Sequence, residues 1–273
     1  MRKTFSSFFI LAAFLFLFIP SRFVSAVEME EDPVSAKRSG SYQTVIPFEI
    51  IEKIPLPKGY HEGLFVNGSN IWVNNGQKIN TWIISLEGEV VGEIIPPGTF
   101  TEGITDSSVP GKFWVTDWDE KKLYRVSIEN GKMLPDTEIS FEPSLPTGVT
   151  RAGDVLYVMT WTRGMGTKYH LLQLDKDGNT LRKLKIEGIS EPSQIAWDGR
   201  YLWITSWFNR KVYQVDPQDF RVLGHFTSPA KAATGIAWDG EYFWITGTYD
   251  DLYKVRVGEQ APIISPESTD NSP

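Results

Sequence analysis

Apolar and polar residues alternate with a period close to two over short stretches of this chain, and the stretches recur in a set order. In the clearest copies, Gln194-Ile195-Ala196-Trp197-Asp198-Gly199 runs on to Tyr201-Leu202-Trp203-Ile204-Thr205, and Gly235-Ile236-Ala237-Trp238-Asp239-Gly240 to Tyr242-Phe243-Trp244-Ile245-Thr246. Looser copies open at Gly63, Gly103 and Gly148, so the five starts lie 40, 45, 46 and 41 residues apart. Short alternating runs rich in β-branched and aromatic residues are half-buried strands. No stretch sustains a helical period, and Gly and Pro punctuate the intervals. In the fourth copy the pattern predicts strands over Ser193–Trp197, Tyr201–Ser206, Lys211–Val215 and Val222–Phe226, with Asp198-Gly199 as the first hairpin. Several short strands per unit of about forty residues are the mark of a β-propeller. The fold class read from the sequence is therefore all-β, a five-bladed β-propeller over residues 44–258. A β-sandwich is the competing architecture, but sandwiches do not repeat a Trp-Asp-Gly turn at matched phase. The fifth unit stops at Tyr253–Val257 one strand short, so Val45–Ile54 is predicted to close the ring as an N-terminal strand and cover that edge.

The flanks have another character. Met1-Arg2-Lys3, an apolar run from Phe8 to Ile19 and the small residues of Val24-Ser25-Ala26 read as a signal peptide over residues 1–26, cut after Ala26. The run is short for a membrane span, which needs about twenty apolar residues. An uncleaved N-terminal anchor is the alternative to a secreted or extracytoplasmic protein with no transmembrane span after cleavage. Residues 27–43 read as a disordered acidic linker and 259–273 as a disordered tail, since neither holds enough apolar surface to offset chain entropy. Losing Arg2, Lys3 and Arg22 takes the formal charge from −7 to −10, a poor match for nucleic acid. With no cysteine, export brings neither disulfides nor thiolate-held metal, and no acylation site follows the signal. A monomer is the expected state.

A propeller gathers equivalent positions at one mouth of its central channel. Ahead of each innermost strand come His61-Glu62, Thr101-Glu102, Pro146-Thr147, Pro192-Ser193 and Ala233-Thr234. After each second strand come Asn74-Asn75, Asp117-Trp118-Asp119, Trp161-Thr162-Arg163, Trp207-Phe208-Asn209 and Thr248-Tyr249-Asp250. Tryptophans inside strands (Trp72, Trp114, Trp203 and Trp244) are accounted for as packing between blades. Indoles at loop tips would otherwise sit in water, so Trp118, Trp161, Trp207 and the ring of Tyr249 are candidate ligand-stacking surfaces. With Asn75 and Glu62 they form a candidate binding set for a small molecule, peptide or glycan in the channel mouth. Plugging of the channel is the plainer alternative for any one of these rings. Glu62 and Glu102 hold equivalent places in adjacent blades. A carboxylate beside tryptophans loses hydration, its pKa rises, and it suits general acid or base work near neutral pH, with Glu102 the catalytic candidate. His61, His170 and His225 lack metal-ligand spacing, and no phosphate loop, dinucleotide fingerprint or nucleophile elbow occurs. The expectation is a site without cofactor; a calcium ion on Glu, Asn and Asp oxygens is the alternative.

Three stretches carry a family resemblance. Thr101-Glu102-Gly103-Ile104-Thr105 resembles a "GEGIT" motif, Leu156-Tyr157-Val158-Met159-Thr160-Trp161 an "LYQLTW" strand, and Thr234-Gly235-Ile236-Ala237-Trp238 through Ile245-Thr246-Gly247 to Leu252-Tyr253-Lys254-Val255 a closing "NGIAYD…VTGK…LFEV" blade. All belong to the glutamine cyclotransferase family, plant-type glutaminyl cyclases and their bacterial relatives, which the folded body resembles as a divergent member. The resemblance implies a transferase that closes N-terminal glutamine to pyroglutamate and releases ammonia. It implies Glu102 as the essential glutamate, and Trp118 and Trp207 as two cage tryptophans. The chain departs from the family at Glu62 (glutamine there), Thr147 (tryptophan), Ser193 (asparagine) and Thr248 (lysine). A register moved by one blade would align Glu102 with that glutamine and Thr147 with the glutamate. Two other readings stay open: a non-catalytic propeller binding a peptide or glycan in an aromatic funnel, and a cation-dependent propeller of the lactonase or streptogramin-lyase type.

Overall fold

The computed structural model describes residues 44–77 and 80–258. The expected signal peptide, acidic linker and tail lie outside the described residues. Among the described residues every regular element is a strand, and the strands form five sheets arranged as propeller blades, antiparallel except for one added edge strand. Blade 1 is His61–Asn67, Asn70–Asn75, Asn80–Ser85 and Val90–Ile94, and blade 2 is Thr101–Asp106, Lys112–Asp117, Lys122–Glu129 and Lys132–Ser140. Blade 3 is Leu145–Ala152, Val155–Thr162, Lys168–Leu174 and Thr180–Lys185. Blade 4 follows the predicted bounds closely: Pro192–Trp197, Leu202–Ser206, Lys211–Val215 and Val222–Thr227. Blade 5 takes Ala233–Trp238, Phe243–Gly247 and Leu252–Val257, and its fourth strand is Phe48–Ile54, antiparallel to Leu252–Val257. The first strand of each blade lines the central channel.

The single closing strand expected over Val45–Ile54 is split in two. Thr44–Val45 instead adds to the outer edge of blade 4, parallel to Val222–Thr227. Ile46 continues that pairing by donating its N–H to His225 O at 2.8 Å. Pro47, with no N–H to give, marks the crossing from one blade to the next. One N-terminal segment thus stitches blades 4 and 5 together.

The repeated Trp-Asp-Gly turn has a local cause. Asp239 Oδ1 accepts the N–H groups of Glu241 (2.8 Å) and Tyr242 (2.6 Å), and Oδ2 accepts Trp244 Nε1 at 2.7 Å. Asp198 does the same for Arg200, Tyr201 and Trp203. Gly199 and Gly240 sit at φ 97° and 103°, which only glycine adopts without strain. The indoles so tethered are buried between blades. Trp72, Trp114, Trp203 and Trp244, with Tyr157 in blade 3, fill equivalent second-strand positions, one at each of the five seams. The apolar core is therefore five inter-blade clusters around an axis, as a ring of units that cannot bury their own faces requires.

Candidate functional site

Every innermost strand carries a β-bulge near its start: between His61 and Leu64, Thr101 and Ile104, Pro146 and Val149, Pro192 and Ile195, and Ala233 and Gly235. The positions expected to be loops ahead of these strands are instead their first residues, and the extra residue re-aims the side chains there toward the axis. Glu62 and Glu102 stand at this point in neighbouring blades, 3% and 8% exposed. They hydrogen-bond to each other. Burial pushes the Glu62 carboxyl well above the usual carboxylate range, and the charge of Glu102 pushes it further. Burial also raises Glu102, the hydrogen bond from Glu62 opposes that, and Asp117 and Asp119 add to it. Two carboxyls in contact in a dry site cannot both ionise at neutral pH: Glu62 is the donor in the bond between them, and Glu102, raised to about 8, gives up its own proton only as pH climbs toward that value.

The pair is braced from behind. Glu102 O accepts Asn74 Nδ2 at 3.0 Å, and Asn74 Oδ1 accepts Thr81 Oγ1 at 2.7 Å. Asp117 is buried and spends its carboxylate on the turn ahead of Glu102: Oδ2 takes the N–H groups of Thr99 and Phe100, and Oδ1 that of Glu120, each at 2.8 Å. Above the pair stands Tyr60, whose hydroxyl is pushed up to about 12 by burial and then by the charges of Glu62 and Glu102, against a hydrogen bond with Thr248. It stays a neutral donor throughout the physiological range.

An aromatic rim surrounds this centre in two arcs. Phe100, Tyr60 and Tyr249 make successive edge contacts with centroids 5.8 and 5.3 Å apart, and Gln77 Nε2 donates to the Tyr249 hydroxyl at 2.9 Å. On the other side Trp118 meets Trp161 at 5.3 Å, Trp161 meets Tyr169 at 5.1 Å, and the Arg163 guanidinium lies 5.3 Å from the Trp118 ring. Trp207 is 41% exposed, and its Nε1 donates to Thr248 Oγ1 at 3.2 Å across blades 4 and 5. Trp161 Nε1 likewise donates to Pro192 O at 2.7 Å. Both indoles use their N–H groups within the protein, which leaves their faces for a ligand.

Of the residues chosen from sequence, Glu62 and Glu102 come together at the axis, and Trp118, Trp161, Trp207 and Tyr249 stand on the rim around them. Asn75 is placed differently. Its Nδ2 donates to Asn80 Oδ1 at 2.8 Å, its Oδ1 accepts Tyr60 N at 3.2 Å, and it is buried, so it supports the Tyr60 loop from beneath. Sequence reasoning missed Tyr60, although a signal was present: an aromatic residue stands two positions before each glutamate, in Tyr60-His61-Glu62 and Phe100-Thr101-Glu102. Among the described residues no three His, Cys, Asp or Glu side chains gather as a metal site would require.

No protein-family model and no curated protein matches the chain by sequence. Solved structures do. The crystal structure of Myxococcus xanthus glutaminyl cyclase superimposes with a TM-score of 0.66 at 15% identity, covering 81% of this chain and 100% of that one. A virginiamycin B lyase from Staphylococcus aureus aligns more loosely, with a TM-score of 0.44 at 23% identity over 72% of this chain and 65% of the other. The first match establishes that this chain shares the five-bladed fold of a glutaminyl cyclase.

Proposed function

We propose that this protein is a glutaminyl-peptide cyclotransferase, converting N-terminal glutamine to pyroglutamate with release of ammonia. The observation that carries this reading is the buried, hydrogen-bonded Glu62–Glu102 pair inside an aromatic funnel. In the reaction the α-amine nitrogen forms a bond to the side-chain carbonyl carbon, and the bond from that carbon to the amide nitrogen breaks. The attacking nitrogen must lose a proton and the leaving nitrogen must gain one. Glu102, in the ionised fraction that grows as pH approaches about 8, accepts the first; Glu62, protonated, supplies the second to the leaving group. The pair ends with one proton, as it began, now on Glu102, and its internal hydrogen bond lets it pass back. Tyr60, held neutral, offers an O–H to the oxygen that gains charge as the carbon becomes tetrahedral. Trp118, Trp161 and Trp207 present ring faces that exclude water and stack on the glutamine side chain. The fold shared with the Myxococcus enzyme supports the reading, and the leader-like sequence of residues 1–26 supports action outside the cytoplasm.

One feature favours a second reading, a binding propeller for peptide or glycan ends. The N–H groups of Trp161 and Trp207 are already taken, and the lysine and asparagine of the resembling family are Thr248 and Ser193 here, so fewer polar groups face a reacting substrate. Mass spectrometry of a glutamine-initiated peptide separates the two. The wild-type protein should produce ammonia loss above buffer, and Glu102→Gln, which keeps shape but cannot accept the proton, should be slower by about a hundredfold or more. Equal rates in the two proteins, or no loss above buffer, would overturn the cyclase reading.

A further inference from the structure

The repeat starts are glycine in blades 1, 2, 3 and 5 (Gly63, Gly103, Gly148 and Gly235) and glutamine, Gln194, in blade 4. They fall one residue deeper than the Glu62 and Glu102 level, where the innermost strands converge most closely. A Cβ on Gly235 would come within 2.5 Å of Glu62 O, and one on Gly103 within 2.8 Å of Thr147 O and of Val149 N. Around most of the ring there is no room for any side chain. The free space goes to one residue, Gln194 of blade 4. A Cβ on Gly63 would meet Gln194 Nε2 at 2.6 Å, and one on Gly148 would meet its Oε1 at 2.6 Å. The side chain therefore reaches from blade 4 past blade 3 to blade 1. Its Oε1 accepts the N–H of Val149 at 3.1 Å, its Nε2 reaches Glu102 O in blade 2 at 3.5 Å, and its own N–H donates to Thr205 Oγ1 at 2.9 Å. It is 1% exposed.

We propose that Gln194 is the floor of the funnel and a positioning residue for Glu102: one side chain crosses a ring of glycines, closes the channel beneath the carboxyl pair and steadies the main chain that carries Glu102. The inference rests on the pair being the working centre, but it concerns the pair's environment and can be read without turnover. A closed floor makes the channel a blind pocket, so substrate enters and product leaves by the mouth alone. It also keeps water from reaching the pair from below. The titratable groups facing the pair from the surrounding elements are Tyr60 from the loop above and Asp117 and Asp119 from blade 2; substitution at Gln194 leaves all three in place.

Gln194→Gly completes the glycine ring and opens the floor, while Gln194→Met fills the same volume without a donor. The apparent pKa values of Glu62 and Glu102 are read from side-chain carboxyl carbon shifts in 13C-glutamate-labelled protein, alongside the pH profile of turnover. In Gln194→Gly, water reaching the pair should lower the apparent pKa values by about one unit, since desolvation raised them. The acid limb of any activity should move down with them. Gln194→Met should keep the wild-type titration and lose only kcat, through the missing hydrogen bond to Glu102 O. Titrations unchanged in both variants, or shifted equally in both, overturn the proposal. Gln194→Ala replaces Gln194→Gly if the latter does not fold. Absence of turnover in the wild type would count against the cyclase reading alone, because the carboxyl titration is read independently of it.

Discussion

Glu62 and Glu102 are ordinary residues in composition and unusual ones in place. Each alone on a loop would be a solvated anion. On adjacent bulged strands they meet within a dry channel: burial raises both, the charge of Glu102 raises Glu62 further, and the hydrogen bond from Glu62 eases the ionisation of Glu102. The cost of that burial is paid in stability as well as in pKa. A carboxyl raised in the folded state holds a proton that the unfolded chain has already released, so between the two pKa values the folded form binds more protons and stability falls as pH rises. The window runs from the ordinary glutamate value near 4.5 up to about 8 for Glu102. The pair's contribution is thus most favourable below the window and is lost through it. Glu62→Gln removes one of the two ionisations while keeping a donor toward Glu102. Melting temperatures measured from pH 5 to pH 9 should therefore decline less steeply in this variant than in the wild type, with the curves meeting at the acid end. Parallel curves would show that the carboxyls are not coupled.

At the scale of the element, what the sequence could reveal depended on how local the cause was. The Trp-Asp-Gly turn was legible because one aspartate, one glycine and one tryptophan within six residues make it. Asp239→Ala strips two backbone N–H groups and the buried Trp244 indole of their acceptor. Leaving a buried donor unsatisfied costs about 1–3 kcal/mol, so denaturant titration should show a loss of about 2 kcal/mol, and a loss below ~0.5 kcal/mol would mean the turn is set by its glycine alone. The bulges were illegible in the same stretches, since period-two alternation does not announce an extra residue, and the glutamates were accordingly read as loop residues. The closing strand was legible as a strand and not as two, because the change of partner at Pro47 depends on where blades 4 and 5 lie. Asn75, chosen for its place after a second strand, turned out to be engaged by Asn80 and Tyr60 for want of any sequence signal for amide orientation. Gln194 was visible only as the odd member of a glycine series, and its reach to three other blades emerges only when five strands converge.

For the whole molecule, the ring has no central core and holds only if every seam is sealed. Four seams join blades that follow one another directly along the chain. The fifth, between blades 5 and 1, depends on the N-terminal segment: Ile54 packs there with Leu64, Trp82 and Trp244, and Phe48–Ile54 covers the edge of Leu252–Val257. The same segment places Ile46 in the seam between blades 4 and 5, and the Phe48 ring 5.0 Å from Phe226. Removing residues 44–54 would therefore open two seams at once and expose an unpaired strand edge, a template for aggregation. A chain beginning at Pro55 should lose cooperative melting and associate on concentration. Gly258 donates its N–H to Pro47 O at 2.9 Å, so the end of the last strand lies beside the start of the closing one. A permuted chain beginning at Pro55, with residues 44–54 following Gly258 through a short glycine-serine linker, rebuilds both seams with a new connection. It should recover a single melting transition close to that of the unpermuted chain, measured by circular dichroism and light scattering. If the truncated chain melts like the parent, the ring is held by its blades alone. If truncation and permutation fail alike, the connection from Ile54 into His61 matters more than the strand it delivers.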